Sequence, residues 1–371
     1  MTQPIRILHV LTAMNLAGTE TLLMNLYRNI DRDKIQFDFA VTAKSECAYD
    51  REILQLGGRI IHYPLYRGMN HFSYVKWWND FFCTHKEYRI IHGHIGSTAA
   101  IYLHIANKYG CYTIAHSHST YGPINLHTVL YKIYSFPTRY VAKYFMGCSK
   151  LALRDRYGKS ILKKNNWHIL NNGIDSKKYI YSEIIRQNVR KEMNLTDNDI
   201  LIGTVGRLTP PKNPNLIINI IKNLNKDKIK FKFLWIGIGE LEKEISKKLS
   251  CEIKRGQVIM AGARTDVNKF LQGMDIFVFP SIFEGLGIAA IEAQAAGLIT
   301  LCSDTIPPEV KVTECCEFLS IQDAEIWSDR IRDIIKNSSY KERKNQCNSI
   351  VNAHYDIHNV AQWLTEFYRN I

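Results

Sequence analysis

One stretch, residues 275–304, limits the possible fold more than any other part of the chain. Ile276 to Phe279 is an apolar run closed by Pro-Ser and too short for a helix, which is typical of a buried strand. A loop with two glycines follows, and then an alanine-rich run that stops at Gly297, as helices with a C-terminal glycine do. Leu298 to Cys302 predicts the next strand. Strand, loop, helix and strand form a βαβ unit, which indicates an α/β fold with a parallel sheet.

The loop of this unit, residues 284–287, is a candidate anion site. It joins the carboxyl end of a strand to a helix N-terminus, where unpaired backbone N–H groups and the helix dipole favour a phosphate. Glu284 and Glu292 flank the loop, and carboxylates accept hydrogen bonds from paired hydroxyls. A phosphate between two such acids suggests a nucleotide-sugar. Taken alone, Glu-Gly-x-Gly also fits an ordinary strand-to-helix turn with one solvated glutamate.

The sequence EGLGIAAIE at residues 284–292 resembles the E-x7-E signature of retaining glycosyltransferases with the GT-B fold, family 4. Enzymes of bacterial exopolysaccharide and capsule biosynthesis are similar. The resemblance implies that Glu284 contacts the donor sugar and that Glu292 binds the ribose. It also implies that the loop residues hold the diphosphate; these are Gly285, Leu286 and Gly287.

Two cations follow another predicted strand in GRLTPPKN, residues 206–213. Arg207 and Lys212 can neutralise a diphosphate, one as a planar fork and the other as a point charge. The pattern resembles the G-R-L-x-x-x-K-N of the same family, which implies that both grip the donor phosphates and stabilise the leaving group. Gly206, which opens this motif, joins the donor-binding residues. Weaker resemblances, in AGTE, FLWIGIG and QVIMAGAR, extend the set to Gly18, Gly237 and Arg264. The last of these implies that Arg264 lies at a strand end that contacts the nucleotide base.

Histidines lie at the ends of two predicted strands, in His92-Gly-His94 and His116-Ser-His118. Alternate strand residues face one side, so such pairs can bind a metal. No cysteine or carboxylate pattern accompanies them, and the chain has no Asp or Glu between residues 88 and 154, so we expect no metal and no cofactor. The family resemblance implies that a histidine at this strand end reaches the donor sugar. The alignment favours His118, and His116 is the alternative because one residue of slippage exchanges them.

The resemblance implies a fold of two Rossmann-like, doubly wound parallel-sheet domains facing a cleft that holds the donor. The predicted domains are an acceptor-side domain at residues 1–176, a donor domain at 177–355 and a C-terminal crossover helix at 356–371 that returns to the first domain. The implied reaction is metal-independent, retaining transfer of a hexose or N-acetylhexosamine from a UDP-sugar. A metal-dependent GT-A transferase would need D-x-D at a strand end, whereas Asp31–Asp33 follows a predicted helix and Asp197–Asp199 precedes a strand.

The charge and composition of the chain indicate the class of molecule that it binds and where in the cell it works. The formal net charge is +13, which calls for an acidic partner, and aromatic and basic residues interleave from Ser119 to Phe145. Such a segment suits a membrane surface with anionic lipid, single-stranded nucleic acid, or simply a core helix with amphipathic lysines.

Nine scattered cysteines without CxxC, and no apolar run of eighteen residues, favour a cytoplasmic protein with reduced thiols. We expect no nucleic acid partner, a polyprenyl-diphosphate-linked glycan acceptor and a peripheral position on the inner face of the cell membrane.

Three alternatives remain open. The chain could transfer to a small soluble acceptor, or it could be a non-catalytic lipid- or nucleic-acid-binding protein on the same scaffold. A nucleotide-sugar epimerase shares the two-domain architecture but needs no acceptor. The intact set of Arg207, Lys212, Glu284 and Glu292 argues against a degenerate site, and the E-x7-E match argues against an epimerase.

Overall fold

The computed structural model describes residues 3–118, 126–196, 199–227, 229–338, 340 and 342–371, with the side chains of 126–128 left out. The chain forms two compact units. The first comprises Met1–Ile174 with His354–Ile371, and the second comprises Asp175–Ala353. The boundaries predicted from the sequence follow residues 176 and 355. Tyr121, in the aromatic and basic segment, and Asp197, in one of the two D-x-D sequences, lie outside the described residues.

The first unit contains a seven-stranded parallel sheet in the order β3-β2-β1-β4-β5-β6-β7. Its strands are β1 (Ile5–Val10), β2 (Ile35–Val41), β3 (Ile60–His62), β4 (Ile90–Gly93), β5 (Tyr112–Ser117), β6 (Tyr144–Gly147) and β7 (Trp167–Ile169). The helices between and after them are α1 (Gly18–Asn29), α2 (Asp50–Gln55), α3 (His71–Thr84), α4 (Ala99–Lys108), α5 (Leu126–Ser135), α6 (Thr138–Val141) and α7 (Lys150–Tyr157).

The second unit contains a six-stranded parallel sheet in the order β10-β9-β8-β11-β12-β13. Its strands are β8 (Ile200–Val205), β9 (Phe231–Ile236), β10 (Val258–Gly262), β11 (Ile276–Phe279), β12 (Ile299–Ser303) and β13 (Cys316–Leu319). Its helices are α8 (Glu183–Glu192), α9 (Pro214–Lys226), α10 (Glu242–Lys248), α11 (Ser250–Lys254), α12 (Val267–Gly273), α13 (Ile288–Ala295), α14 (Ala324–Lys336) and α15 (Cys347–Asn352). The predicted α/β class with parallel sheets is confirmed.

Both sheets reverse their strand order once, between β1 and β4 and between β8 and β11. In doubly wound sheets the crevice at the carboxyl ends of the strands beside such a reversal is where ligands bind. The loops after these four strands are therefore the positions from which a functional site is expected.

The last helix, α16 (Ile357–Arg369), packs in the first unit although it follows the second in sequence. Its apolar face, with Leu364 and Tyr368, joins the same buried cluster as Leu22 and Leu26 of α1. Burial of such side chains contributes about 1.5–3 kcal/mol each, so α16 forms part of the core of the first unit.

A buried ion-pair network holds α8 against the start of β11. Asp275 is almost fully buried; its carboxylate accepts hydrogen bonds from Arg186 at 2.6 Å, Arg190 at 3.2 Å and the Leu201 backbone at 2.7 Å. Removing one partner of a buried pair leaves an uncompensated charge, at a cost of about 3–5 kcal/mol. The network therefore fixes the strand that leads into the Glu284 loop.

Two elements differ in detail from what the local sequence predicts. The run from Val141 to Ser149 predicts a strand, but Val141 belongs to α6 and the strand covers only Tyr144–Gly147, because Pro137 initiates a helical turn just before it. The sequence also predicts that Asp266 caps α12, and Asp266 does occupy the N-cap position. It makes no capping hydrogen bond, because its carboxylate accepts hydrogen bonds from Arg264 instead. Within the described residues, each helix is too short or too polar to cross a lipid bilayer.

Candidate functional site

The loop between β11 and α13 has the geometry expected of an anion site. Gly287 occupies the N-cap of α13 with φ +104°, a left-handed conformation that favours glycine. A Cβ there would approach Phe279 Cε1 to 3.1 Å. Because glycine has no side chain to cap the helix, the first backbone N–H groups of α13 are left for a ligand.

Lys212 and Glu284, which were predicted to bind the phosphates and the sugar, are in contact. The Lys212 ammonium donates a hydrogen bond to Glu284 Oε1, and the two side chains are only 24% and 15% exposed. The same ammonium lies 4.8 Å from the centroid of the Phe279 ring. The short helical turn Pro210–Lys212 after β8 and the loop after β11 therefore bring their charged groups to one place at the reversal of the sheet.

Arg207 lies beside this pair. A small pocket is lined by Gly206, Arg207, Lys212, Phe279 and Ser281 among other residues. The Ser281 hydroxyl is buried, and within the described part of the chain it has no hydrogen-bond partner. Burying a hydroxyl without a partner is costly, and a bound phosphate oxygen would satisfy it. From the sequence, Ser281 was only part of the Pro-Ser pair that ends a predicted strand, and its unpaired hydroxyl could not be foreseen.

Gly237 brings a third loop against this pocket. It follows β9 with φ +141°, and a Cβ at this position would lie 2.0 Å from the Gly206 carbonyl oxygen. Any side chain would force the two loops apart. Gly237 therefore sets the close packing of the loops after β8 and β9, and its predicted role in donor binding remains a prediction.

Glu292 has a partner that the sequence did not reveal. Tyr179 donates a hydrogen bond to Glu292 Oε1 at 2.8 Å. Although part of the residue is accessible to solvent, burial of the carboxyl raises its pKa to about 7, while the tyrosine hydrogen bond acts in the opposite direction. Tyr179 thus orients the carboxyl that was predicted to bind the ribose.

The raised pKa of Glu292 predicts the direction in which folding stability changes with pH. The unfolded chain releases the Glu292 proton near pH 4.5 and the folded chain near 7, so folding stability falls as the pH rises between them. Glu292→Gln removes this loss, and we expect its stability relative to the unchanged chain to rise by about 2–3 kcal/mol from pH 5 to pH 8, since one pKa unit is about 1.4 kcal/mol. Urea unfolding at both pH values measures it. If the stability difference between Glu292→Gln and the unchanged chain is the same at pH 5 and pH 8, the pKa of Glu292 is not raised. Glu314→Gln, at an exposed glutamate, is the control.

Arg264 contacts Asp266 and Phe270, away from the pocket of Arg207 and Lys212. Its guanidinium donates to Asp266 at 2.9 Å and lies 4.4 Å from the centroid of the Phe270 ring. It is not among the described residues lining the Arg207–Lys212 pocket. Base contact by Arg264 thus remains a prediction that the geometry does not support directly.

The other predicted residues belong to the first unit. Gly18 begins α1, and a Cβ there would meet open space. The preceding N-cap, Ala17, makes no side-chain capping bond, so the first turn of α1 has the same kind of donors as α13. Glu20 lies in that turn, and burial raises its pKa.

The four predicted histidines and His9 form what we call the histidine cluster, at the carboxyl ends of β1, β4 and β5. His9 Nδ1 lies 2.9 Å from His94 Nε2, and His94 Nδ1 lies 2.7 Å from His118 Nε2. His92 Nε2 lies 3.1 Å from His116 Nδ1, and His92 Nδ1 lies 2.6 Å from the Tyr368 hydroxyl of α16. Neighbouring parallel strands thus align all five rings at the reversal of the first sheet.

Burial lowers the pKa of every histidine in the cluster, to about 3 for His9 and His118. The rings are therefore neutral at physiological pH. His116 is buried, whereas His118 is partly exposed. A ligand on the surface of the first unit would reach His118 more readily, which supports the favoured choice between the two without deciding it.

The amino-acid sequence matches a known family over the second unit. Residues 185–351 fit the model of glycosyl transferases group 1. The second unit of the chain thus carries a glycosyltransferase domain of this family.

Curated relatives extend the similarity. EpsF of Bacillus subtilis is 29% identical over 312 residues, which cover 82% of this glycosyltransferase and 80% of EpsF. An Escherichia coli UDP-Gal:alpha-D-GlcNAc-diphosphoundecaprenol alpha-1,3-galactosyltransferase is 31% identical over 144 residues, covering 37% of this chain and 36% of that one. A Campylobacter jejuni N-acetylgalactosaminyltransferase whose name includes diphospho-undecaprenol is 31% identical over 159 residues, covering 42% and 40%.

Solved structures share the fold. HepE of Anabaena in complex with UDP and glucose superposes with a TM-score of 0.77 at 15% identity, covering 99% of this glycosyltransferase and 100% of HepE. The lipopolysaccharide glycosyltransferase WaaG gives 0.73 at 14% identity, covering 97% and 99%. The GT-B fold predicted from the resemblance is confirmed.

The family match covers only the second of the two units. It includes Arg207, Lys212, Glu284 and Glu292, but its boundaries exclude Gly18 and the histidine cluster. The residues of the second unit that were predicted to bind the donor thus lie in the matched region, whereas the cluster is a feature of the first unit.

Proposed function

We propose that this glycosyltransferase transfers a hexose or N-acetylhexosamine from a UDP-sugar, with retention of configuration, to a polyprenyl-diphosphate-linked glycan in cell-surface polysaccharide biosynthesis. The contact between Lys212 and Glu284 carries the proposal. It joins a cation and a carboxylate, and a nucleotide-sugar offers a group to each of them where its diphosphate meets its sugar hydroxyls.

In this proposal the second unit supplies the charges at the reacting bond. Arg207 and Lys212 stabilise negative charge on the departing diphosphate, together with the N-terminal amides of α13. This role needs no metal at the diphosphate. Glu292, oriented by Tyr179, accepts hydrogen bonds from the ribose hydroxyls. Glu284 leaves its ion pair with Lys212 to bind the sugar, and His118 is the histidine proposed to contact it.

The choice of UDP rests on similarity. HepE was solved with UDP and with UDP-glucose, and the E. coli relative is named for UDP-Gal. Both named diphosphoundecaprenol relatives act on lipid-linked acceptors by their names, and this suggests the acceptor class proposed here.

The first unit offers a pocket for the acceptor. A cavity of about 330 Å³ lies near the ends of β1 to β4, and its lining includes Thr12, Thr42, Ser97 and four tyrosines. Hydroxyl and aromatic groups of this kind bind sugars through hydrogen bonds and ring contacts. One of the tyrosines, Tyr134 of α5, connects the cavity with an exposed helix.

That helix supports a membrane-associated acceptor. Exposed apolar side chains surround basic ones on α5 and on the short helix α6 that follows it. Ile133 of α5 is 61% exposed, and Tyr140 of α6 is 76% exposed. Lys132 and Lys143 are exposed, and the Arg139 guanidinium stacks on Phe136 at 3.9 Å. Exposure on this scale does not fit a core helix, and it suits insertion among anionic lipid headgroups. The other exposed apolar residues of the segment are Val129, Leu130 and Tyr134.

Calorimetric titration with UDP, GDP and ADP in metal-free buffer tests the donor site. We expect selective binding of UDP, weakened at least tenfold in the Arg207→Ala, Lys212→Ala double variant, because both cations for the diphosphate are gone. Replacing exposed Lys243 and Lys247 by alanine is the matched control and should leave the affinity unchanged.

Two outcomes would count against the proposal. Preference for GDP or ADP would overturn the choice of donor base but keep the transferase. No binding to any nucleotide would overturn the active site and favour a non-catalytic lipid-binding protein on this scaffold. With a donor in hand, NMR of the product then reports whether the anomeric configuration is retained.

A further inference from the structure

The histidine cluster has more nitrogen atoms than its internal hydrogen bonds can satisfy. His9 Nε2, His116 Nε2 and His118 Nδ1 are buried and have no partner within the described part of the chain. Each neutral imidazole offers one donor and one acceptor. In the row His9–His94–His118, either direction of the hydrogen bonds leaves an unpaired N–H at one end and an unpaired lone pair at the other.

The ring nitrogens are also close enough to share one ion. Two sets of three place their ligand atoms within 4.8 Å of one another: His9 with His92 and His94, and His94 with His116 and His118. In the second set, the rings of His116 and His118 have centroids 3.9 Å apart. Neutral imidazole is the form that binds transition metals.

The outer set, His94, His116 and His118, is the better candidate because the inner histidines support it. Metal-binding histidines usually donate their other ring N–H to a second group that fixes the ring. His94 Nε2 meets His9 at 2.9 Å, and His116 Nδ1 meets His92 at 3.1 Å. These contacts leave His94 Nδ1 and the unpartnered His116 Nε2 available for an ion.

We propose that His94, His116 and His118 bind a Zn²⁺ ion at the carboxyl ends of β4 and β5. His9 and His92 then act as positioning residues, and Tyr368 holds His92. Three histidines with an open fourth position are a familiar Zn²⁺ ligand set, with Zn–N distances of about 2.0–2.1 Å. Ligation replaces the hydrogen bond between His94 and His118, whose nitrogens, 2.7 Å apart, must separate by roughly 0.6 Å.

We expected no metal from the sequence because no carboxylate accompanies the histidine pairs. In the structure, His9 and His92 make the supporting contacts to the outer set that carboxylates make in other metal sites. The charge of Arg156 also acts on His118, which disfavours a cation. We therefore expect weaker binding than in a closed structural zinc site. The site lies in the first unit and does not rest on UDP binding by the second. It uses His118 Nε2, the nitrogen that faces His94, and leaves His118 Nδ1 for the sugar contact proposed above.

The experiment uses the full-length chain without a histidine tag, dialysed against chelator. Co²⁺ is added as a visible probe, and Zn²⁺ is then titrated to displace it. We expect one Co²⁺ per chain, with the intense visible absorption of a four-coordinate ion, and its loss on addition of one equivalent of Zn²⁺. His118→Gln and His94→Gln should each lower the Zn²⁺ affinity at least tenfold.

Controls separate ligation from folding. His104→Gln changes an exposed histidine of α4 and should bind Zn²⁺ like the unchanged chain. Circular dichroism and urea unfolding of each variant without metal test the fold of the first unit, and UDP titration tests the second. Loss of metal binding with both unchanged therefore reports on the cluster alone. The absence of a four-coordinate Co²⁺ spectrum, or Zn²⁺ affinity equal in the His118→Gln and His104→Gln chains, would overturn the proposal.

Discussion

Replacing Glu284 by glutamine is expected to slow sugar transfer about 100- to 1000-fold while UDP binds at least as tightly as before. The proposed site gives two reasons. A charged hydrogen-bonding group aimed at the reacting sugar contributes most in the transition state, and removing one such group typically costs two to three orders of magnitude. The Lys212 ammonium, now paired with Glu284, would no longer have to leave that pair to bind a diphosphate.

The measurement combines two readouts on one variant. Nucleotide affinity comes from calorimetry, and the transfer rate comes from release of UDP from a UDP-sugar that the unchanged chain uses as donor. Glu314→Gln, a fully exposed glutamate of the same unit, is the control. Parallel loss of UDP affinity and rate would show that Glu284 supports the nucleotide rather than the sugar. A rate within tenfold of the unchanged chain would remove Glu284 from the mechanism.

Replacing Leu130 and Ile133 of α5 by aspartate is expected to weaken binding to anionic vesicles about 100-fold or more. Each exposed apolar side chain that enters the headgroup region contributes about 1.5 kcal/mol or more, and each aspartate adds repulsion from anionic lipid. Changing Lys132, Arg139 and Lys143 to alanine should also weaken binding, by about 1 kcal/mol per charge, and this loss should disappear at high salt.

Vesicle flotation with and without anionic lipid measures both effects. The matched control replaces three basic residues of the second unit, Lys243, Lys247 and Lys254, which are exposed on α10 and α11. Equal flotation of all chains, or an equal loss in the control, would show that α5 is not the membrane-binding surface. Urea unfolding of each chain serves as the folding check for the first unit, which contains α5, and UDP affinity checks the second.

The second unit was predictable because its signals are local. The apolar run Ile276–Phe279 is a strand with those limits, and the alanine-rich helix ends before Gly297, whose φ is +70°. Charged residues directly after strand ends, such as Arg207, are near one another because parallel strands align their carboxyl ends. Local sequence therefore predicted both the elements and the edge at which the candidate site lies.

What the sequence could not reveal depends on contacts between distant residues. His9 looked like one residue of an ordinary first strand, and it joins the cluster only because β1 pairs with β4 rather than with β3. Tyr179 meets Glu292 across 113 positions, and Asp275 meets Arg186 across 89. Periodicity carries no information on such pairs, since strand order and helix placement are decided by packing of the whole unit.

The return of α16 to the first unit has a consequence for synthesis. Residues 1–174 leave the ribosome well before α16. Until α16 is made, the apolar surface beside α1 is not covered by Leu364 and Tyr368, and His92 lacks its contact with the Tyr368 hydroxyl. Residues 175–353 must be made in between, which takes roughly 10–35 s at about 5–20 residues per second. The second unit is continuous in sequence and can fold during that interval. We therefore expect the half of the molecule that is translated first to complete its folding last, with chaperones shielding it meanwhile.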